Sequence, residues 1–258
     1  KRFMDLFVLP NMEDENARRR AEDELPQSAA GKTIMTTEPK FIPQEAASIM
    51  LADQSEIKVR LIDCVGFMVQ GASGHMEGDE NRMVKTPWME EEIPFVDAAR
   101  IGTEKVIRDH ATIGIVVVTD GSIGELERDA YTEAEKTTIT KLEEIGKPYV
   151  VVLNSMRPYS EETRQLKDSL EKQYQTRVVP VNCQQMHRED ILHIMSAILM
   201  EFPVTRIDYF IPKWTEMLPI EHPVKAALLH AAGDFLKRID KISDAGALGA
   251  EKNFAEQM

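Results

Sequence analysis

Three short runs of unbroken, largely β-branched apolar residues constrain this chain most. They are GIVVVTD (114–120), PYVVVLNS (148–155) and TRVVPVNC (176–183). A strand with one face in water alternates apolar and polar residues, whereas a run that is apolar throughout needs cover on both faces. Helical patterns separate the runs. Residues 95–111 (FVDAARIGTEKVIRDHA) predict one helix, and residues 128–146 predict a second that Gly146 ends. Ser160 and Thr163 open a third, running to residue 175, and REDILHIMSAILMEF (188–202) predicts a fourth. Strand and helix in alternation predict an α/β fold, a mostly parallel sheet with helices on both faces. Function in such folds gathers just beyond the C-terminal ends of the strands. Asp63, Asp120, Asn154 and Asn182 all stand at such ends.

The flanking regions are less regular. Phe3, Leu6 and Phe7 predict a helix over residues 1–9, and the charged stretch 12–24 reads as a solvated helix or loop. Residues 25–45 carry Pro26, Gly31, Pro39 and Pro43 and predict a long irregular loop, a length usually reserved for function. IKVRLIDCVG (57–66) alternates and then turns apolar, as a strand in a buried sheet would. Residues 67–95, rich in Gly and acids, predict another long loop. After Pro203 the pattern changes to a proline-broken stretch and one amphipathic helix from residue 223. This sets an expected domain boundary near 205, giving domains 1–205 and 206–258. The opening KRFMDLFVLP reads as a helix already under way, and EKNFAEQM carries no stop signal, so a fragment cut at both ends is expected.

Composition narrows the function. A hydrophobic share of 43% and a charged share of 29% suit a globular protein and argue against disorder. The net charge of −13 argues against nucleic acid as a partner, because phosphate binding needs clustered Lys and Arg. Two cysteines cannot make a disulfide framework, and both lie in apolar stretches, which predicts buried free thiols in a reducing compartment such as the cytoplasm. No apolar run is long enough to be a transmembrane segment.

One motif is incomplete. PQSAAGKT (26–33) carries the second half of a phosphate-binding loop, G-x-x-x-x-G-K-[ST], but its first glycine falls on Pro26 and no apolar strand precedes it. RLIDCVGF (60–67) is the stronger signal. An apolar strand ends at Asp63, followed by D-x-x-G to Gly66. A carboxylate there holds Mg²⁺, usually through water, and the glycine lets its amide approach a terminal phosphate. Thr36 and Thr37 lie in the loop ahead of that strand, where a threonine can reach Mg²⁺ and the same phosphate. Asn154 and Ser155 end one later strand, and Asn182 and Cys183 end the next, where base-contacting loops belong. This is the order of a GTPase-like nucleotide site whose first strand and phosphate loop are missing. The candidate catalytic residues are Asp63, Thr36 and Thr37, with Asp63 and Thr37 as the Mg²⁺ ligands. The candidate nucleotide contacts are Gly66, Asn154, Ser155, Asn182 and Cys183.

The departures from a GTPase matter. The guanine-reading pattern N-K-x-D ends in a carboxylate that accepts two hydrogen bonds from the base. Here the stretch is Asn154-Ser155-Met156-Arg157, and Arg157 offers only donors. Guanine selectivity should be lost, which favours ATP with Mg²⁺. The residue after D-x-x-G is Phe67, which cannot orient an attacking water as a glutamine there does. Any hydrolysis should be slow.

DELPQSAAGKTIMTTEPKF, RLIDCVGF, KTPWMEEEIPF, TIGIVVVTDGSIGE and GKPYVVVLNSMRPY together resemble the stage IV sporulation protein A family, spore-coat morphogenetic ATPases of endospore-forming bacteria. The resemblance covers at least residues 1–215. It implies a P-loop NTPase domain whose G-x-x-x-T-G-K-S loop lies just before Lys1, and further domains beyond residue 205. It implies Asp63 at the Mg²⁺-linked acidic position and sensor threonines at Thr36 and Thr37. It also implies ATP hydrolysis that drives self-assembly into the basement layer of the spore coat, in the mother-cell cytoplasm at the forespore surface. Implied partners are further copies of the protein, a small amphipathic membrane-anchoring peptide and other coat proteins. Two other readings stay open: an inactive assembly scaffold, which Phe67 favours, and a regulatory GTPase, which Asn154–Arg157 disfavours.

Overall fold

The N-terminal turns form around their apolar residues. A wide π-type turn over Met4–Val8 runs into a 3₁₀ turn over Leu9–Asn11, and Met4, Phe7, Val8 and Leu9 are buried. The computed structural model describes residues 1–25, 40–50, 56–64, 66–72, 75–77, 80–86 and 89–245. Asp14 starts α1 (Glu15–Asp23) by accepting the amides of Asn16 and Ala17, two of the donors a helix start leaves unpaired. Ala21 alone is buried on this charged helix.

β1 (Lys40–Met50) pairs antiparallel with β2 (Glu56–Asp63), Lys40 opposite Asp63 and Met50 opposite Glu56. The register slips between Ile42 and Ala47, around Pro43. Proline has no amide to donate, so the ladder must bulge there. Two expectations change here. Residues 40–45 are strand, not loop, because the bulge rather than the whole segment absorbs the proline. β2 is half-buried along alternate positions rather than enclosed, and among the described residues it pairs with β1 alone.

The described residues between 67 and 94 form two short antiparallel pairings, Met76–Glu77 with Glu80–Asn81 and Met83–Val84 with Ile93–Pro94. α2 (Phe95–Lys105) follows and continues as a wide turn, Val106–His110. It buries a face of small side chains, Ala98, Ala99 and Gly102, so neighbours can approach it closely.

The sheet at the centre has β3 (Gly114–Thr119), β4 (Tyr149–Asn154) and β5 (Val178–Val181) in the order β3-β4-β5, all parallel. Val116 lies opposite Val151, and Asn154 opposite both Thr119 and Val181. α3 (Arg128–Ile145) crosses from β3 to β4 and ends at Gly146, whose φ of 72° a side chain would strain. α4 (Glu161–Tyr174) crosses from β4 to β5, and the Ser160 hydroxyl caps it on the Thr163 amide. α5 (Arg188–Met200) follows β5. The parallel α/β sheet and its crossover helices agree with the sequence pattern. Val116, Val118, Ile139, Leu142, Val151 and Leu153 pack in the core beneath α3.

β4 is buried from Tyr149 to Leu153, as a two-sided apolar run requires. β3 is not. Val116 and Val118 are buried, but Ile115 is 38% and Val117 61% exposed. The run predicted cover on both faces, and the structure provides it on one. Among the described residues no strand pairs with β3 on the side away from β4. Gly114 and Asp120 donate their amides to Pro148 and Asn154 of the β4 side. By the period of two, the amides of Ile115, Val117 and Thr119 turn to the open edge. Both cysteines are free and half-buried rather than fully buried.

The chain divides into two compact units, Lys1–Met195 and Ser196–Met258. In the second, α6 (Lys213–Glu216) and α7 (Pro223–Leu236) follow an extended stretch, with the ring of Tyr209 edge-on to Phe235 at 6.3 Å. His222 caps α7 through Nδ1 and Lys241 reaches the buried Glu201. Among the described residues no helix is long and apolar enough to cross a membrane.

Leu153→Ala should cost about 3 kcal/mol, since it empties a fully buried site. Val117→Thr in this same chain should cost less than about 0.5 kcal/mol, since the side chain faces solvent. Urea unfolding of both variants checks the contrast; equal costs would contradict the one-sided burial of β3.

Candidate nucleotide site

The strand ends supply the candidate groups. Asp63 is the last residue of β2 and its carboxylate is exposed. Gly66 sits three residues on with φ at 81°, and a Cβ there would meet nothing within 4 Å. The backbone angle, not crowding, demands glycine. The Gly66 amide donates to the Thr103 hydroxyl at 3.2 Å, and the same hydroxyl donates to the Gly66 carbonyl at 3.3 Å. Thr103 is buried on the small-residue face of α2. Sequence reasoning missed it, and the only signal was a lone threonine among Ala98, Ala99 and Gly102. Burial pushes the Cys64 thiol up, and its contacts with the Gly66 amide and Thr103 hydroxyl offset this only in part. Cys64 is therefore a poor nucleophile.

The loop after β3 is folded by its own polar groups. Thr119 accepts the Gly121 amide at 3.1 Å, and Asp120 accepts both the amide (2.9 Å) and the hydroxyl of Ser122. Gly121 has φ at 86°, and a Cβ there would stand 2.8 Å from the Arg128 amide nitrogen. Burial raises the Asp120 pKa, but hydrogen bonds from Ser122 and Ser155 outweigh it and hold the carboxyl below its ordinary 3.8. The Met156 amide donates to Ser122 at 2.9 Å, which ties this loop to the one after β4.

Asn154 ends β4 and accepts the Cys183 amide at 2.9 Å, so the ends of β4 and β5 are joined. Ser155 donates its amide to Val181 at 2.9 Å. Its side chain is fully buried, and its hydroxyl accepts the Arg157 amide and meets the Thr163 hydroxyl. Ser155 thus lies beneath the loop surface. Asn182 folds the next turn by accepting the amides of Gln184 and Gln185. Burial raises the Cys183 thiol as well. Thr36 and Thr37 lie outside the described residues, as do Pro26, Gly31 and Lys32 of the incomplete loop motif.

A cavity of about 600 Å³, within the usual range for a small-molecule site, joins the end of β2 to β3 and Asn154, while Ser155, Asn182 and Cys183 do not line it. Its walls include Asp63, Gly66, Thr103, Val117, Glu135 and Asn154. Residues from both faces of β3 line it, so it wraps around the open edge of that strand. Phe67 also lines it, placing an apolar ring near Gly66. Glu135 is fully committed: Arg128 grips its two oxygens and the Tyr174 hydroxyl donates to it at 2.8 Å, which joins α3 to α4. Burial and Glu135 push the Tyr174 phenol well above its ordinary value. Chemically, the groups at the end of β2 are an exposed carboxylate, whose oxygens suit a hard divalent cation, and a glycine amide held by the Thr103 hydroxyl.

Residues 1–203 match the family model described as "Stage IV sporulation protein A, ATPase domain". The chain belongs to the stage IV sporulation protein A family. It is 45% identical over 244 residues to Stage IV sporulation protein A of Bacillus subtilis (strain 168), and 46% identical over the same length to that of Clostridioides difficile (strain 630). Each alignment covers 95% of this chain and 50% of the relative, so the chain spans about half the length of the curated relatives it matches. The match to the family's ATPase domain runs from the N-terminal turns through α5 and contains every wall of the cavity.

The Asp120 carboxyl gives a pH test of the loop. Its folded pKa lies below 3.8, so its contribution to stability is full above that pH and is lost as pH falls through the folded value. Ser122→Ala removes the side-chain donor and should raise the Asp120 midpoint, read by NMR titration of the carboxyl carbons. An unmoved midpoint would contradict the role given to Ser122.

Proposed function

We propose that the whole protein hydrolyses ATP with Mg²⁺ and uses the hydrolysis to assemble with further copies of itself into the basement layer of the spore coat. The single observation that carries this reading is the cavity between β2 and β3, into which Asp63, Gly66 and Asn154 all open. A strand lying along the open edge of β3 would fill it. Such a strand, preceding Lys1 and leading into a phosphate-binding loop, would satisfy the outward amides of Ile115, Val117 and Thr119 and cover Val117. The length of the relatives leaves room for it.

In this reading Asp63 holds Mg²⁺, usually through water, and Thr37 reaches the same ion. Bound there, Mg²⁺ would supply positive charge against the phosphate oxygens. Thr36 and Thr37 sense the terminal phosphate, and the Gly66 amide donates to it. Asn154, Ser155, Asn182 and Cys183 build the base pocket. Asn154 and Cys183 form its floor through their mutual hydrogen bond, and Ser155 supports it from below. The absence of a carboxylate in Asn154-Ser155-Met156-Arg157 favours adenine over guanine. Residues 206–258 begin a further domain. The site of action is the mother-cell cytoplasm at the forespore surface, with a small amphipathic membrane-anchoring peptide and other coat proteins as partners.

One observation favours a second reading. Phe67 lines the cavity where a water-orienting side chain would act, as in a scaffold that needs no turnover. Phosphate release by the whole protein separates the two. Slow release is expected from ATP and not GTP, falling about a hundredfold or more in Asp63→Ala with an unchanged circular dichroism spectrum. ATP-dependent assembly should fail in Asp63→Ala and in the Thr36, Thr37 double-alanine variant. Equal release from GTP would overturn the base preference, and no release from either would favour the scaffold.

A further inference from the structure

Thr103 makes an uncommon choice of partner. A helix threonine ordinarily spends its hydroxyl on a carbonyl of its own preceding turn or leaves it in water. Here Thr103 is 3% exposed and its hydroxyl turns away from its own helix to Gly66. It accepts that residue's amide and donates to its carbonyl. The Cys64 thiol leans on the same hydroxyl. The small side chains of Ala98, Ala99 and Gly102 make the approach possible. The amide so held belongs to a glycine whose positive φ and open surroundings let its peptide turn at little steric cost.

We propose that Thr103 is a positioning residue that acts as a latch, holding the Gly66 amide against α2 until a terminal phosphate takes it, and thereby sets the preference of this site for a nucleoside triphosphate over the diphosphate. The proposal rests on the nucleotide reading above. One N–H cannot donate fully to two acceptors. A phosphate oxygen is charged and makes the stronger hydrogen bond, so it wins the amide when present. A diphosphate has no oxygen at that position and leaves the latch closed. The release is felt beyond the loop. α2 continues into the wide turn Val106–His110, where His110 stands edge-on to Phe41 at 5.1 Å. Phe41 is the second residue of β1, just after the segment that carries Thr36 and Thr37. The helix and the turn that continues it therefore touch both Gly66 and the start of β1.

The test uses the whole protein, titrated with Mg²⁺ and either AMP-PNP or ADP in a calorimeter. Thr103→Val keeps the shape and removes the competitor for the amide. It should bind AMP-PNP about fivefold more tightly, the effect of one net hydrogen bond, and ADP unchanged. Thr103→Ser, which keeps the hydroxyl, should restore the original ratio. A merely structural role would weaken both ligands together. If Thr103→Val does not fold, the Gly66 amide resonance of the unsubstituted protein decides: a shift with AMP-PNP and none with ADP supports the latch, and no difference between them overturns it. An unchanged ratio in Thr103→Val overturns the latch and leaves the nucleotide reading standing. Failure of the unsubstituted protein to bind either ligand overturns both.

Discussion

The in-register parallel pairing of β3, β4 and β5 is the constraint on which the candidate site depends. Asn154 lies opposite Thr119 on one side and Val181 on the other, so three strands end at one level. The chain then has three loops at one edge of the sheet, and their polar groups must satisfy one another. Asn154 accepts the Cys183 amide, Ser122 accepts the Met156 amide, and Ser155 caps its own loop from within the core. A slip by one residue would reverse the inward and outward faces of a strand and undo these bonds together. The burial of β4 on both faces is what forbids the slip.

Among the described residues the same sheet is open on its β3 side. A strand edge with exposed β-branched residues presents unpaired amides and apolar surface together, which proteins normally cover. The cavity that wraps this edge reaches the end of β2, where Asp63 and Gly66 stand. The exposed apolar face of β3 and the candidate phosphate groups thus border one space. Thr103 adds a second link, since it connects the Gly66 loop to α2 through both backbone groups of one residue.

Much of this was legible in the sequence, and for identifiable reasons. The runs around Val117, Val151 and Val179 gave the parallel sheet because unbroken β-branched runs suit strands and the helical patterns between them suit crossovers. Gly146 and Ser160 marked helix ends because local backbone chemistry, a left-handed residue and a hydroxyl cap, decides such ends. The D-x-x-G stretch placed Asp63 at a strand end for the same local reason. What escaped depended on partners far along the chain. β1 was hidden by Pro43, whose bulge only the β2 register reveals. The exposure of Ile115 and Val117 could not be read, because an apolar run has the same letters whether or not its neighbour is present. Thr103 was invisible, since nothing in FVDAARIGTEK says that its hydroxyl serves a residue in another element.

The claim at the centre is that a strand ahead of Lys1 belongs along the open edge of β3. Hydrogen exchange at single amides tests it most directly, with this chain compared against the whole protein. The amides of Ile115, Val117 and Thr119 should exchange rapidly here and slowly in the whole protein, while Val116 and Val118, bonded toward β4, should stay protected in both. Equally rapid exchange at Ile115, Val117 and Thr119 in the whole protein would contradict the account.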